Sequence, residues 1–187
     1  MKHALPVLML ALAAPAMASA APAAWTVDKA TSSLKFSSSL GGEAFSGAFR
    51  KWDADIRFDP ADLAHSSVAV TVDVASANTA NSDRDQALPT PAFFNVASFP
   101  KATFVARSFT AAGSNRYLAV GTLTLRGVAK PLTLPFSLVI TGAAARMSGQ
   151  VAINRLAFGV GQNEWKATTT LPAAVQLTIS LNARKAK

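Results

Sequence analysis

Trp52-Asp53-Ala54-Asp55-Ile56-Arg57-Phe58-Asp59 puts Trp52, Ala54, Ile56 and Phe58 on one side of an extended chain and Asp53, Asp55, Arg57 and Asp59 on the other. Successive side chains of a strand point to opposite faces, so this octet reads as a strand with one buried and one solvated face. The same period recurs on both sides of it. Upstream, Leu34, Phe36 and Ser38 oppose Lys35 and Ser37. Downstream, Val68, Val70, Val72 and Val74 alternate with Ala69, Thr71 and Asp73, and Phe104 and Ala106 lie opposite Val105 and Arg107. Leu132, Leu134, Phe136, Leu138 and Ile140 form a further apolar face, and Val175, Leu177, Ile179 and Leu181 the last.

Turn signals separate these runs: Gly41-Gly42, Asp59-Pro60, Ala112-Gly113-Ser114-Asn115, Gly127 and Gly142. Short turns of this kind join antiparallel neighbours, whereas parallel pairing needs crossover helices. No helical period of that length appears. The pattern predicts an all-β single domain, an antiparallel barrel of about eight strands.

The one long connection, 76–100, begins polar. Ser82 is placed to cap a short helix that Pro89 ends. Phe93, Phe94 and Phe99 follow, and three such rings in one connection are too apolar to lie in water. The segment is expected to fold over a barrel mouth as a lid.

The N-terminus carries Lys2 and His3, an apolar stretch from Ala4 to Ala14, and the small-residue run Ala16-Met17-Ala18-Ser19-Ala20, the order of a secretory signal. Cleavage after Ala20 is expected, leaving 21–187 as the barrel domain. The apolar run is shorter than the roughly 20 residues a bilayer-crossing helix needs, and Pro6 and Pro15 interrupt it. The expectation is an exported protein without a transmembrane segment. The chain contains no cysteine, so no disulfide holds it. Packing and backbone pairing alone must do so, which favours a closed sheet.

The whole chain has 18 lysines and arginines against 10 acids, for a net charge of +8. Attraction to anionic surfaces follows, but no basic stripe interleaved with aromatics marks specific nucleic-acid binding. Outside the leader there is one histidine, His65, so ordinary transition-metal ligation is not expected, nor is a cofactor. Asp62, His65, Ser66 and Ser67 carry the residue types of a hydrolase triad, but their adjacency reads as a turn with local bonds. Asp53 and Asp55 share a face that Arg57 continues, which is a solvated outer wall rather than an acid pair.

Asp83-Arg84-Asp85 sits beside the phenylalanine-rich lid. Arg84 could meet a phosphate or carboxylate there, or form an ion pair that fixes the loop. Arg155 poses the same question. Phe158-Gly159-Val160-Gly161 lacks the Lys-Ser/Thr ending of a phosphate loop and reads as a bend before the last strand. The chain contains eleven phenylalanines and three tryptophans. They either fill a narrow barrel or line a cavity for an elongated apolar molecule, and periodicity does not choose between the two.

Trp25-Thr26-Val27-Asp28, Gly47-Ala48-Phe49, Ser76 to Thr79 with Arg84-Asp85 and Leu88, Phe93-Phe94-Asn95-Val96, and Phe99 to Phe104 follow one another along the chain, and Gly121 to Pro131 and Ile153 to Gly161 complete the series. Taken in this order, the motifs resemble the YceI-like family of bacterial polyisoprenoid-binding proteins. The resemblance spans nearly all of 21–187 and implies a lipocalin-like periplasmic barrel holding a long-chain amphiphile, such as an isoprenoid quinone, a polyprenyl phosphate or a fatty amide. It makes Arg84, Asp85, Phe93 and Phe94 the mouth-and-lid group and Arg155, Phe158 and Gly159 the late bend; the ligand contacts expected are these residues other than Gly159, together with Phe36, Phe104, Leu134 and Phe136 from the apolar strand faces. Histidines common in the family are replaced by Ser38 and Ser39 and near Gln86 and Ala87, and a common aspartate by Ala157.

Three functions are therefore carried forward. The first is a binding or carrier protein for an isoprenoid or fatty amphiphile, without catalysis. The second is an enzyme acting on such a molecule through Asp85 or His65. The third is a basic, stress-related surface-binding module with a filled core. Homodimerisation is left open.

Overall fold

The computed structural model describes residues 21–186; the expected leader, 1–20, lies outside the described residues. Among the described residues, eleven antiparallel strands form one sheet. In chain order they are β1 (Ala24–Val27), β2 (Ser33–Leu40), β3 (Glu43–Phe49), β4 (Trp52–Arg57), β5 (Ser67–Asp73) and β6 (Ala77–Asn78). After the short helix α1 (Ser82–Ala87) come β7 (Lys101–Ala111), β8 (Arg116–Leu125), β9 (Val128–Thr141), β10 (Ala144–Asn154) and β11 (Ala174–Lys185).

Six of the eleven are halves of interrupted strands. β1 and β2 both lie along β11, with Trp25 opposite Lys185 and Ser33 opposite Ser180. β3 pairs with β2 and β6, and β4 with β1 and β5, so β3–β4 and β5–β6 are likewise single broken strands. The result is an eight-stranded closed barrel, as the alternation predicts, sealed by the pairing of β1 with β11. Closure leaves no long unpaired edge on which another chain could add.

The interruptions have local causes. After β1, the Asp28 carboxylate accepts hydrogen bonds from Ala30 N at 3.0 Å and Thr31 Oγ1 at 2.9 Å, turning the chain before it re-enters the sheet. After β5, the Asp73 carboxylate accepts from Ala75 N, and the Ser76 hydroxyl donates to the Asp73 carbonyl at 2.6 Å. Lys51 N, at the break between β3 and β4, donates to Ser76 Oγ at 2.9 Å, so one side chain joins two breaks.

A bulge in β7 changes the inside-out reading of that strand. The register shifts between Ala106 and Ser108, placing Arg107 outside and returning Phe109 to the interior, where strict alternation from Phe104 would have put Ser108. Gly121 faces the bulge, and a Cβ there would overlap the Val105 carbonyl oxygen. Glycine is required by this close approach of backbones.

The two barrel ends differ. One carries the long segments 79–100 and 155–173 and is called the lid end here. The other carries both termini of the barrel, the segment 58–66 and the turns at 112–115 and 142–143. Two buried apolar clusters correspond to these ends. Val74, Phe93, Phe94, Phe158 and Leu171 belong to the lid-end cluster, and Trp25, Phe58, Ala106, Phe109 and Leu138 to the other.

Candidate ligand cavity

Between the two clusters the barrel is hollow. A cavity of about 280 Å³ runs along the interior, bounded by side chains from every strand except the two-residue β6. A single buried water needs roughly 10–15 Å³ of comparable space and two to four polar partners. This space is about twentyfold larger, and the atoms facing it are apolar. A filled interior, one of the two arrangements left open by periodicity, is therefore not what the chain forms.

The inward face of each strand makes the wall. At the end away from the lid, Phe58 packs edge-on against Phe109, Tyr117 and Phe136 at 5.3–5.8 Å between ring centroids. Trp25 closes the same end, its indole Nε1 donating to the Phe58 carbonyl at 2.9 Å, so its one polar atom is satisfied in an otherwise apolar setting. At the lid end, Phe49 stands between Phe36 at 5.2 Å and Phe94 at 6.0 Å.

The lid consists of two segments. In the first, α1 is capped by Asn81, whose side chain accepts from Arg84 N at 3.0 Å, and not by Ser82 as the sequence pattern predicts. Asn81 wins because it holds the extended cap conformation while Ser82 is already helical. The chain then turns Phe93 and Phe94 inward; each is only 8% exposed. The second segment, 155–173, is more than the simple bend predicted for Phe158 to Gly161. It folds across the barrel mouth and joins the first through the Ala92 carbonyl, which accepts from both Gly161 N at 2.9 Å and Gln162 N at 2.8 Å. Trp165 packs on Phe93 at 5.4 Å across the same seam.

Arg155 organises this second segment. It is 3% exposed, and its guanidinium donates to the carbonyls of Pro172 at 2.9 Å, Val160 at 2.9 Å and Leu171 at 2.7 Å. No carboxylate shares the site, and burial pulls its pKa below the ordinary arginine value. Three of its five N–H groups thus hold the segment closed, and the side chain borders the cavity.

Asp85 has a comparable role in the first segment. Its carboxylate accepts from Asn78 Nδ2 at 2.8 Å and from Thr79 N and Oγ1 at 2.7 Å each. The internal ion pair considered for Arg84 does not form. The Arg84 guanidinium lies 5.0 Å from the Phe45 ring centroid, and its Nε donates to Thr79 Oγ1 at 3.3 Å. Thr79 and the Phe45 ring, and neither neighbouring aspartate, are its contacts.

The cavity thus brings together Phe36, Phe93, Phe94, Phe104, Leu134, Phe136 and Arg155 of the residues singled out in the sequence. Arg84 and Asp85 lie one layer out at the rim, and Phe158, 4% exposed, packs in the lid-end cluster behind the wall. Sequence reasoning missed Phe45 and Phe49 as wall residues. Phe45, Gly47 and Phe49 already alternate with Ala44, Ser46 and Ala48, so the signal was present. Asp62 and His65 form the local turn expected of them, with Nδ1 2.7 Å from Asp62 Oδ1, and neither lines the cavity.

A family model described as a YceI-like domain matches residues 25–183, nearly all of the barrel. The chain belongs to the YceI-like family. Among solved structures, this YceI-like chain is similar to Burkholderia cenocepacia BcnA, at 34% identity and a TM-score of 0.81 over 84% of this chain and 99% of that one. Campylobacter jejuni YceI protein matches at 28% identity and a TM-score of 0.69, over 75% and 85% of the two chains. A polyisoprenoid binding domain from Saccharophagus degradans shares the fold, with a TM-score of 0.70 over 88% and 99%, at 14% identity. Protein YceI of Salmonella arizonae is 37% identical over 103 residues, which is 55% of this chain and 53% of that protein. The chain spans about half the length of the curated relatives it matches. Among the described residues of this YceI-like barrel, no helix is long and apolar enough to cross a membrane.

Proposed function

We propose that the protein binds and carries a long-chain amphiphile in the periplasm, keeping its apolar tail out of water inside the barrel. The observation that carries this reading is a cavity of about 280 Å³ whose exposed lining is entirely apolar. Such a space costs cohesion when empty and is favourable to fill with hydrocarbon. Each methylene buried contributes about 0.8 kcal/mol, so affinity should climb with tail length until the cavity is full. The name of the Saccharophagus degradans relative makes an isoprenoid the first tail to try, with quinones, polyprenyl phosphates and fatty amides as variants of the head.

In this reading Phe36, Phe93, Phe94, Phe104, Leu134 and Phe136 contact the tail. Arg84, at the rim over Phe45 and anchored by the turn that Asp85 holds, is the group placed to meet a polar head. Arg155 and Phe158 shape the lid that covers it. A binding role is favoured over a catalytic one because Asp85 is occupied by three donors and His65 faces solvent. The hollow interior also weighs against a surface-binding module with a filled core.

The test is to purify the protein from its native host, extract it with organic solvent and identify the released species by mass spectrometry. A stoichiometric prenyl or long-chain compound is expected. An empty extract, together with no uptake of added isoprenoid quinone or fatty amide, overturns the proposal. N-terminal sequencing of the same material should begin at Ala21.

A further inference from the structure

The charges of this chain are divided between its two halves. Residues 1–85 hold nine acids and seven lysines and arginines, whereas residues 86–187 hold eleven lysines and arginines and a single acid, Glu164. The second group builds β7 to β11, five adjacent strands, so more than half of the barrel wall is cationic. Glu164 lies in the lid, so these five strands bring no carboxylate to the opposite end, where the acids are Asp59 and Asp62 of the segment 58–66.

At that end the hairpin joining β9 to β10 has an uncharged tip, Val139-Ile140-Thr141-Gly142-Ala143-Ala144. All six residues are exposed, Val139 at 52% and Ile140 at 37%. Single exposed aliphatic residues are ordinary, but two in succession on a protruding turn of small residues are not screened by neighbours.

Three arginines surround the tip. Arg146 lies directly opposite Val139 in the β9–β10 register, and Arg184 on β11 is opposite Ala144. Arg116 on β8 is opposite Ser137, one step up the same outer face from Val139. All three are exposed, and none forms an ion pair among the described residues.

We propose that this end of the barrel docks on an anionic lipid surface, with the β9–β10 tip entering the headgroup layer and Arg116, Arg146 and Arg184 meeting its phosphates. Apolar side chains flanked by cations are the chemistry of interfacial membrane binding. A nucleic acid fits less well, because the tip offers aliphatic carbon and no aromatic face for a base to stack on. The inference stands independently of what the cavity holds.

The absence of cysteine allows one clean label. Ala143→Cys carries an environment-sensitive fluorophore at the tip, and the labelled full chain is mixed with vesicles of phosphatidylglycerol or of phosphatidylcholine. Emission should shift to the blue with phosphatidylglycerol alone, and the shift should fade as salt rises toward 1 M. Replacing all three arginines (R116Q, R146Q and R184Q) should weaken the vesicle affinity roughly a hundredfold, from about fivefold for each cation at an anionic surface. Near-UV circular dichroism of that variant should be unchanged, since all three side chains lie outside the barrel. No blue shift with phosphatidylglycerol overturns the proposal. An equal shift with phosphatidylcholine does so too, as does full affinity in the triple variant, or binding to heparin or DNA without binding to vesicles.

Discussion

The Phe36 ring occupies the space that a side chain at position 47 would fill: the two residues are directly opposite in the β2–β3 register, and a Cβ on Gly47 would overlap the Phe36 ring. The glycine lets the ring lie flat along the wall and contact Phe49 instead of projecting across the cavity. The same Cβ would come 2.9 Å from the Asn78 carbonyl oxygen, so relief on one side is blocked on the other.

Gly47→Ala is therefore expected to destabilise the barrel by about 1–3 kcal/mol, the range for overpacking, and to reduce the volume available to a tail. Urea unfolding measures the first and uptake of a tail-length series the second. A variant with unchanged midpoint and unchanged length preference would mean that Phe36 moves freely.

A second expectation concerns Arg155. Arg155→Met removes the donors from three carbonyls at the lid seam, and unsatisfied buried acceptors cost about 1–3 kcal/mol each when water cannot reach them. Lysine is a poor substitute, because one ammonium does not reproduce the planar fork that reaches Pro172, Val160 and Leu171 together. Both R155M and R155K should lower the unfolding midpoint and speed amide exchange across 156–172. Loss of ligand binding with normal stability would instead point to a direct head-group contact.

Arg126 secures the first lid segment from the barrel rim. It sits in the β8–β9 turn with φ of 50° and donates through Nη2 to the Pro91 carbonyl at 2.7 Å. Arg126→Ala should speed both entry and release of a bound amphiphile while changing its equilibrium affinity little, since the cavity wall is untouched. Stopped-flow exchange of a fluorescent lipid checks this; unaltered rates would show that the lid opens elsewhere.

Ala54 lines the cavity from β4 and has no bulk to spare a tail. Ala54→Phe should shorten the longest chain retained, with the barrel still folded because the new ring enters empty space. Mass spectrometry after loading with a graded series of isoprenoids gives the cutoff directly.

On the outer wall, Lys29 donates to Asp53 Oδ1 at 2.8 Å and lies 4.2 Å from the Trp52 ring centroid. The hydrogen bond and charge of Lys29 hold the Asp53 carboxyl below its usual range. A carboxylate whose pKa is depressed in the folded state stabilises the fold above the unfolded pKa, and that contribution is lost as pH falls through the folded value. Asp53→Asn should thus lower the unfolding midpoint slightly at pH 7 and make no difference in strong acid. Because both groups face solvent, high salt should shrink the neutral-pH difference as well.

Much of this arrangement could be read along the chain. Trp52, Ala54, Ile56 and Phe58 point inward as their period of two requires, and the turns at Gly41-Gly42, Gly127 and Gly142 fall where glycine signals them. The alternation holds through Arg107, which faces outward as expected, and fails at the next step, where a bulge leaves Ser108 outside and turns Phe109 inward; the close backbone approach that accompanies it is to Gly121 on β8 and is not legible in β7 itself. The alternation also gave no hint that 155–173 forms a second half of the lid, since that segment is held by residues distant in the chain, Gly41, Ala92 and Phe93 among them.

Side-chain direction is a local property of an extended backbone, so the sequence by itself determined which residues face inward up to the β7 bulge, and that about eight strands pair as a closed antiparallel sheet; it did not show where three of those strands are interrupted. The division of charge between residues 1–85 and 86–187 is equally explicit in it. Whether the inward residues meet at the centre depends on strand tilt and stagger around the whole ring, which no single segment specifies. Only the tertiary structure decided that the barrel is hollow, that Arg155 binds carbonyls of its own lid, and that Arg116, Arg146 and Arg184 gather at one tip.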